Sequence, residues 1–182
     1  MADIPVRRLG HAWLLFVLFL VCLFNYADRT VVASIAGPLR QDLGLTDFHI
    51  GLLQGLSFAL LYCLLGLPFA RLAERRSRVK ILACAVTAWS LATVGCGAAG
   101  SFPQLMLART GVGIGEAGFM GPAQSLLGDY FPAKKRAMAT SWMMMGVPVG
   151  ALIGATAGGF IAQSWGWRWA FVAMGLPGLL VA

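Results

Sequence analysis

Four charged residues, Asp28, Arg29, Arg109 and Glu116, stand inside stretches of chain that are otherwise fit only for lipid, and they restrict the fold more than any other feature. Near the centre of a spanning helix each charge opposes insertion by roughly 2.5–3.5 kcal/mol, so the four together cost on the order of 10 kcal/mol unless they find partners or water. A chain that keeps them is expected to use them to move something across the membrane.

The runs around these charges exclude a soluble protein. Of 182 residues, 59% are hydrophobic and only 12% charged, against about 25% charged in a soluble domain. One compact soluble domain would have to hide six apolar runs. The net charge of +7 would suggest nucleic acid in a soluble chain, but its distribution argues for no nucleic-acid partner. The basic residues fall at Arg7 and Arg8, at Arg71, Arg75, Arg76, Arg78 and Lys80, and at Lys134, Lys135 and Arg136. These groups lie between apolar runs on one side, and only Arg40 and Arg168 fall on the other. That asymmetry predicts a multi-pass protein of the inner (plasma) membrane with a cytoplasmic N-terminus. The first apolar stretch is too long for a signal h-region and no A-x-A-like site follows, so no cleavable signal is expected.

A span needs about 20 mainly apolar residues. The pattern predicts helices over about 13–36, ending before Gly37-Pro38, then 50–72, 81–99, 104–127 and 137–162. A sixth begins near Trp169 and stops at Ala182 after about 14 residues, short of a full crossing. The loop Ala70-x3-Glu74-Arg75-x-Ser77-Arg78 is echoed by Gly159-x3-Gln163-Ser164-x-Gly166-Trp167-Arg168 on the opposite face. That echo suggests an inverted three-plus-three repeat, as in several secondary-transporter folds.

In the first span, Asn25-Tyr26-Ala27-Asp28-Arg29 interrupts an apolar run. With that span centred near Asn25, Asp28 sits about 4.5 Å toward the outside. In the fourth span Arg109 and Glu116 share one face at about 10.5 Å of rise, and the depth of Asp28 falls between them. A carboxylate set between a guanidinium and a second carboxylate suits a proton-linked switch, with Asp28 and Glu116 as the protonation sites. A static ion-pair network locking spans one and four would use the same residues. Neighbouring helical residues point about 100° apart, so Asp28 and Arg29 are expected not to share a partner. Which of them faces a cavity stays open, with Arg29 expected to point elsewhere.

Span four also carries Gly111, Gly113, Gly115, Gly118 and Gly121 before Pro122. Span five reads Gly146-x-Pro148-x-Gly150-x3-Gly154-x3-Gly158-Gly159, a small-xxx-small packing face with a proline that favours a kink. Trp165, Trp167 and Trp169 are expected in an interfacial belt, and His11 and His49 at segment ends. Met143, Met144 and Met145 cover every helix face and read as filler. Cys22, Cys63, Cys84 and Cys96 lie in apolar segments without CxxC spacing and also read as filler. With no metal-ligand cluster, phosphate loop or nucleophile–base pair in view, no enzyme activity, metal or cofactor is expected.

Taken together, these motifs resemble the N-terminal half of a major facilitator superfamily transporter. Ala70 to Lys80 is similar to that family's loop between helices two and three, with Ala70, Glu74 and Ser77 replacing the usual Gly, Asp and Gly. The resemblance implies that Glu74, Arg75 and Arg78 form a cytoplasmic gate. Leu105-x-Leu107-x-Arg109-x2-Val112-Gly113-x-Gly115 resembles the helix-four motif, which implies a role for Arg109 in proton coupling. Gly146 to Gly159 resembles the helix-five motif, with Gly146, Pro148, Gly150, Gly154 and Gly158 in the packing role. Asn25-Tyr26-x-Asp28-Arg29, with Arg109 to Glu116-Ala117, is most similar to the Spinster-like branch.

That resemblance implies an all-α fold, recorded as a six-helix half cut within helix six. It implies a proton-coupled carrier of lysophospholipid- or sphingoid-phosphate-like amphiphiles. Arg29, Asn25 and Tyr26 would contact the substrate, with protons, the lipid bilayer and a missing C-terminal six-helix half as partners. The anion–cation symporters for organic and sugar acids share part of the pattern, and a non-transporting membrane scaffold is the alternative from another class.

Overall fold

The computed structural model describes residues 8–55, 64–69, 71–72 and 76–182, and regular structure among them is helical. The first span is α1 (Arg8–Ser34), and α2 (Ala36–Leu43) follows beyond its end. The second begins with α3 (Asp47–Gln54) and is helical again at 64–69. Then come α4 (Arg78–Gly97), α5 (Phe102–Ala117) with α6 (Met120–Tyr130), α7 (Ala133–Met144) with α8 (Gly146–Trp165), and α9 (Trp167–Val181). By length and apolarity Gly10–Ser34, Arg78–Gly97 and Ala133–Trp165 are each able to cross a membrane, and α9 is a shorter apolar helix.

Spans one, four and five are therefore broken where single helices over about 13–36, 104–127 and 137–162 were expected. The breaks have a common cause. A proline cannot donate to the carbonyl four residues earlier, and its ring clashes with that carbonyl. Pro38, Pro122 and Pro148 stand four residues after Ser34, Gly118 and Met144, and each of these lies at a break. At the middle one the N–H groups of Gly118 and Phe119 turn back to the Gly115 and Glu116 carbonyls at 3.0 and 3.1 Å, a tighter i→i−3 turn. Beyond the first span the chain is helical again past Gly37-Pro38 to Leu43, because Pro38 falls in the first turn of α2, where no intrahelical N–H bond is owed. Pro177 sits inside α9 without such a break.

Small residues set the helix packing, as suits a bundle in lipid, where apolar tails offer no hydrophobic drive between helices. Leu18, Val21, Cys22, Asn25, Asp28 and Val32 form one buried stripe along α1, which Ile35 continues at the break, at the three- and four-residue spacing of a single helix face. Across from it Gly146, Gly150, Gly154 and Gly158 line α8. A methyl at Gly146 would lie 2.7 Å from the Phe19 carbonyl, and one at Gly150 or Gly154 would strike the backbone of Leu23 or Ala27. A second seam joins α4 to α9, where a methyl on Gly175 would lie 2.8 Å from the Ser90 carbonyl. A third joins α4 to α5, where one on Gly115 would lie 2.7 Å from the Trp89 backbone N. Trp13, Phe16, Leu107, Leu152, Phe160 and Leu180 point outward, on surface that lipid would cover.

Candidate functional site

The α1 stripe carries Asn25 and Asp28 into the interior because both occupy positions that an apolar residue would otherwise fill. Helix α5 meets them with the opposite of its glycine face. Gly111, Gly115 and Gly118 contact Ala92, Trp89 and Ala85 of α4, which leaves Arg109, Val112 and Glu116 turned toward α1. The result is two cation–carboxylate pairs. Arg109 Nη1 lies 3.8 Å from Asp28 Oδ1, and Arg29 Nε donates to Glu116 Oε2 at 2.7 Å. Asp28, Arg109 and Glu116 are buried, whereas 29% of the Arg29 side chain is exposed.

Arg29 thus corrects the expectation that it points away from the other three. Residues 28 and 29 do diverge on α1, but α5 offers partners two turns apart, and the long arginine stem covers the offset. The bundle interior takes Asp28, while Arg29 lies on the open side with its guanidinium 5.2 Å from the Tyr26 ring centroid, within cation–π range. Each cation meets a carboxylate, which offsets the cost of holding charge at this depth. Glu116 Oε1 and Asn25 Nδ2 are buried with no hydrogen-bond partner among the described residues, so the site keeps polar capacity unused.

Helix α4 supplies a residue that the sequence reading did not single out. The hydroxyl of Thr93, fully buried, donates to Asp28 Oδ2. One threonine in an apolar helix is a weak signal, because threonine hydroxyls commonly bond to their own helix, as Thr87 does to the Ala83 carbonyl at 2.8 Å.

The two ends of the bundle carry further pairs. At the end bearing the basic loops, Arg78 pairs with Asp129, while Glu74 and Arg75 lie outside the described residues. Asp129 also went unread, although it is an acidic residue beside a basic loop. Arg136 donates to the carbonyls of Gly128 at 2.8 Å and Phe131 at 3.0 Å, closing the C-terminus of α6 as cations do. His11 Nε2 approaches the Tyr130 carbonyl at 3.0 Å, and His49 closes a capping box with Thr46 at the start of α3.

At the opposite end Arg168 donates to Asp42 at 2.6 Å and to the Ala99 carbonyl at 3.4 Å, and Trp167 Nε1 donates to Asp42 at 3.0 Å. These contacts brace α2, the turn that follows α4, and α9. Hydrogen bonds from Arg168, then from Trp167, hold the Asp42 carboxyl below its ordinary range. Trp167 is therefore not part of an interfacial belt. It is 4% exposed and committed to Asp42, whereas Trp165 and Trp169 are 69% and 59% exposed.

Similarity to known proteins agrees with this architecture. Residues 18–182 match the family model described as Major Facilitator Superfamily. The chain belongs to the Major Facilitator Superfamily. It is 36% identical to an MFS-type efflux pump of Mycolicibacterium smegmatis, over 91% of this chain and 39% of that protein. It is 32% identical to a probable sphingolipid transporter, spinster homolog 1, of Arabidopsis thaliana, over 85% of this chain and 35% of that one. A crystal structure of a bacterial homolog of the human lysosomal transporter Spinster, inward-facing and occupied, superposes with a TM-score of 0.87 at 39% identity. That match covers 97% of this chain and 43% of the other. The likeness within the superfamily is to its Spinster-like branch, and the chain spans well under half the length of these relatives.

Proposed function

We propose that the full-length protein is a secondary transporter that couples proton movement to the passage of an anionic amphiphile, lysophospholipid- or sphingoid-phosphate-like, by alternating access. The observation that carries this reading is the pair of ion pairs joining α1 to α5 at the depth of the apolar spans. Asp28 and Glu116 are the protonation sites, and Arg109 and Arg29 their counter-charges. Neutralising either carboxylate would release its arginine and loosen α1 from α5. Because Arg29 lies on the open side beside Tyr26 and Asn25, a substrate phosphate or carboxylate would compete with Glu116 for the same guanidinium. Anion binding and protonation of Glu116 would then favour one another.

The named character of the Arabidopsis relative as a probable sphingolipid transporter supports an amphiphilic cargo. On the sequence asymmetry, the basic loops face the cytoplasm in a multi-pass inner-membrane protein. Glu74, Arg75 and Arg78 form a gate at that face, and Asp129 extends it through Arg78. A further six-helix half would complete the cavity.

The test is uptake into vesicles holding reconstituted full-length protein under an imposed pH gradient. A gradient is expected to drive a lysolipid or sphingoid phosphate, and Asp28→Asn and Glu116→Gln are expected to remove its proton dependence. Gradient-driven transport that both variants leave unchanged would reduce the two pairs to a structural lock. No transport of any anionic amphiphile would sink the cargo assignment.

A further inference from the structure

A second site lies behind the charged face of α5. A groove of about 850 Å³ runs between α4 and α5, with Phe69 and Leu72 of the second span on its third side, from the end that bears the basic loops. Arg76 and Lys80 stand at its mouth, Leu72, Ile81 and Cys84 along its walls, and Ala88 and Ile114 deeper in. From Lys80 to Ala88 the groove follows α4 for about 12 Å, close to the ~15 Å depth of one leaflet's hydrocarbon. Its inner end closes where the Gly115 backbone abuts Trp89. No carboxylate lines it among the described residues, while Asp129, paired with Arg78, lines the adjoining pocket that Arg76 also borders. Leu72 and Ile114 are 43% and 39% exposed, so the groove is open along its side.

We propose that this groove binds an anionic phospholipid of the leaflet at the basic end, with an acyl chain lying between α4 and α5 and the headgroup phosphate on Arg76 and Lys80. The match is one of shape and charge together. An apolar slot one leaflet deep, entered between two cations at the headgroup level, is complementary to a lipid that joins a chain to a negative headgroup. A zwitterionic lipid would fill the slot without the net attraction. The site is separate from the transport site proposed above, because Glu116, next in sequence to Gly115, turns the other way toward Arg29. It does not depend on that proposal. A lipid wedged here would press on the back of the helix that carries Arg109 and Glu116.

The experiment uses full-length protein in nanodiscs and a phosphatidylglycerol probe with a photoactivatable group on its acyl chain. Adducts are expected on the peptides that hold Ile81 to Ala88 and Ile114, with little from the matching phosphatidylcholine probe. Arg76→Gln with Lys80→Gln is expected to cut the yield about thirtyfold, as the loss of two headgroup-level charges implies. Arg76→Lys with Lys80→Arg is expected to keep it, which separates charge from folding. Equal labelling by phosphatidylcholine would make the groove an unselective lipid contact and overturn the proposal. So would the absence of adducts on these peptides, which would mean that protein covers the groove. Adducts on the peptide holding Tyr26 to Arg29 instead would place the lipid in the transport site, and would also overturn it.

Discussion

At mid-depth Arg109 and Asp28 stand 3.8 Å apart with 4% and 3% of their side chains exposed, while at the end away from the basic loops Arg168 and Asp42 stand 2.6 Å apart with 46% of each exposed. The shorter contact is not the more consequential one. In water the Arg168–Asp42 pair exchanges solvation for contact at little net gain, and salt screens it. The longer pair is sealed where neither partner can fall back on water, so each ion depends on the other. The same two residue types thus make a brace at the surface and a mutual obligation in the interior. Only the second has the character of a switch, because neutralising one partner there changes what the other must do.

The largest expected effect follows from that obligation. Arg109→Gln leaves Asp28 buried without its cation and is expected to destabilise full-length protein in detergent by about 3–5 kcal/mol. Asp28→Asn in the same chain is expected to recover much of the loss, and thermal unfolding of the two single variants and the double variant measures the coupling. If Arg109→Gln proved no worse than a change at Arg168, burial would not be what separates the pairs. Thr93→Val sharpens the point with no change in charge. It removes a donor to a buried carboxylate, at an expected cost of about 1.5–3 kcal/mol, and Thr93→Ser is expected to restore most of it.

The glycine seam tests whether the site depends on the packing that delivers it. Gly150→Ala places a methyl against the Leu23 backbone two residues before Asn25, and is expected to cost about 1–3 kcal/mol by overpacking. Gly159→Ala, whose methyl would meet the Ser34 side chain at 3.9 Å, is expected to stay within about 0.5 kcal/mol of the parent. Unfolding temperatures of the two variants, read side by side, decide this. Equal losses would mean that the α1–α8 seam does not hold the charged stripe in place.

These contrasts also show what could be read before the structure was in view. The all-helical membrane build was legible, because about 20 apolar residues in a row have few other uses. So was the grouping of Asp28, Arg109 and Glu116, because helical rise and a seven-residue interval fix depth and face. Arg29 was misplaced because rise and angle locate Cβ atoms, whereas a guanidinium reaches its partner on a long, flexible stem. Thr93 and Asp129 were missed because their roles arise between spans distant in sequence, where no periodicity links them. The helix breaks at Ser34, Gly118 and Met144 were within reach, since each precedes a proline by four residues. Reading Pro38 as an end to its helix, and Pro148 as a kink without a stated position, hid that rule.

The smallest expected effect belongs to the brace, and pH is the way to isolate it. The bonds from Arg168 and Trp167 hold the Asp42 carboxyl below its ordinary range in the folded protein. A group with a lowered folded pKa contributes stability that is fully present above its unfolded value, about 3.9 for Asp, and that is lost as pH falls through the folded value. Asp42→Asn is therefore expected to lower the unfolding temperature of full-length protein slightly and by a constant amount between pH 5 and pH 8. Below about pH 4 the two proteins are expected to converge as the parent loses the same interaction. Moderate salt should shrink the gap as well, because the pair is exposed and its charges are screened. A gap between parent and Asp42→Asn that widened with acid, or that ignored salt, would show that this end of the bundle is not a solvated brace. The contrast with the buried pairs would then rest on something other than access to water.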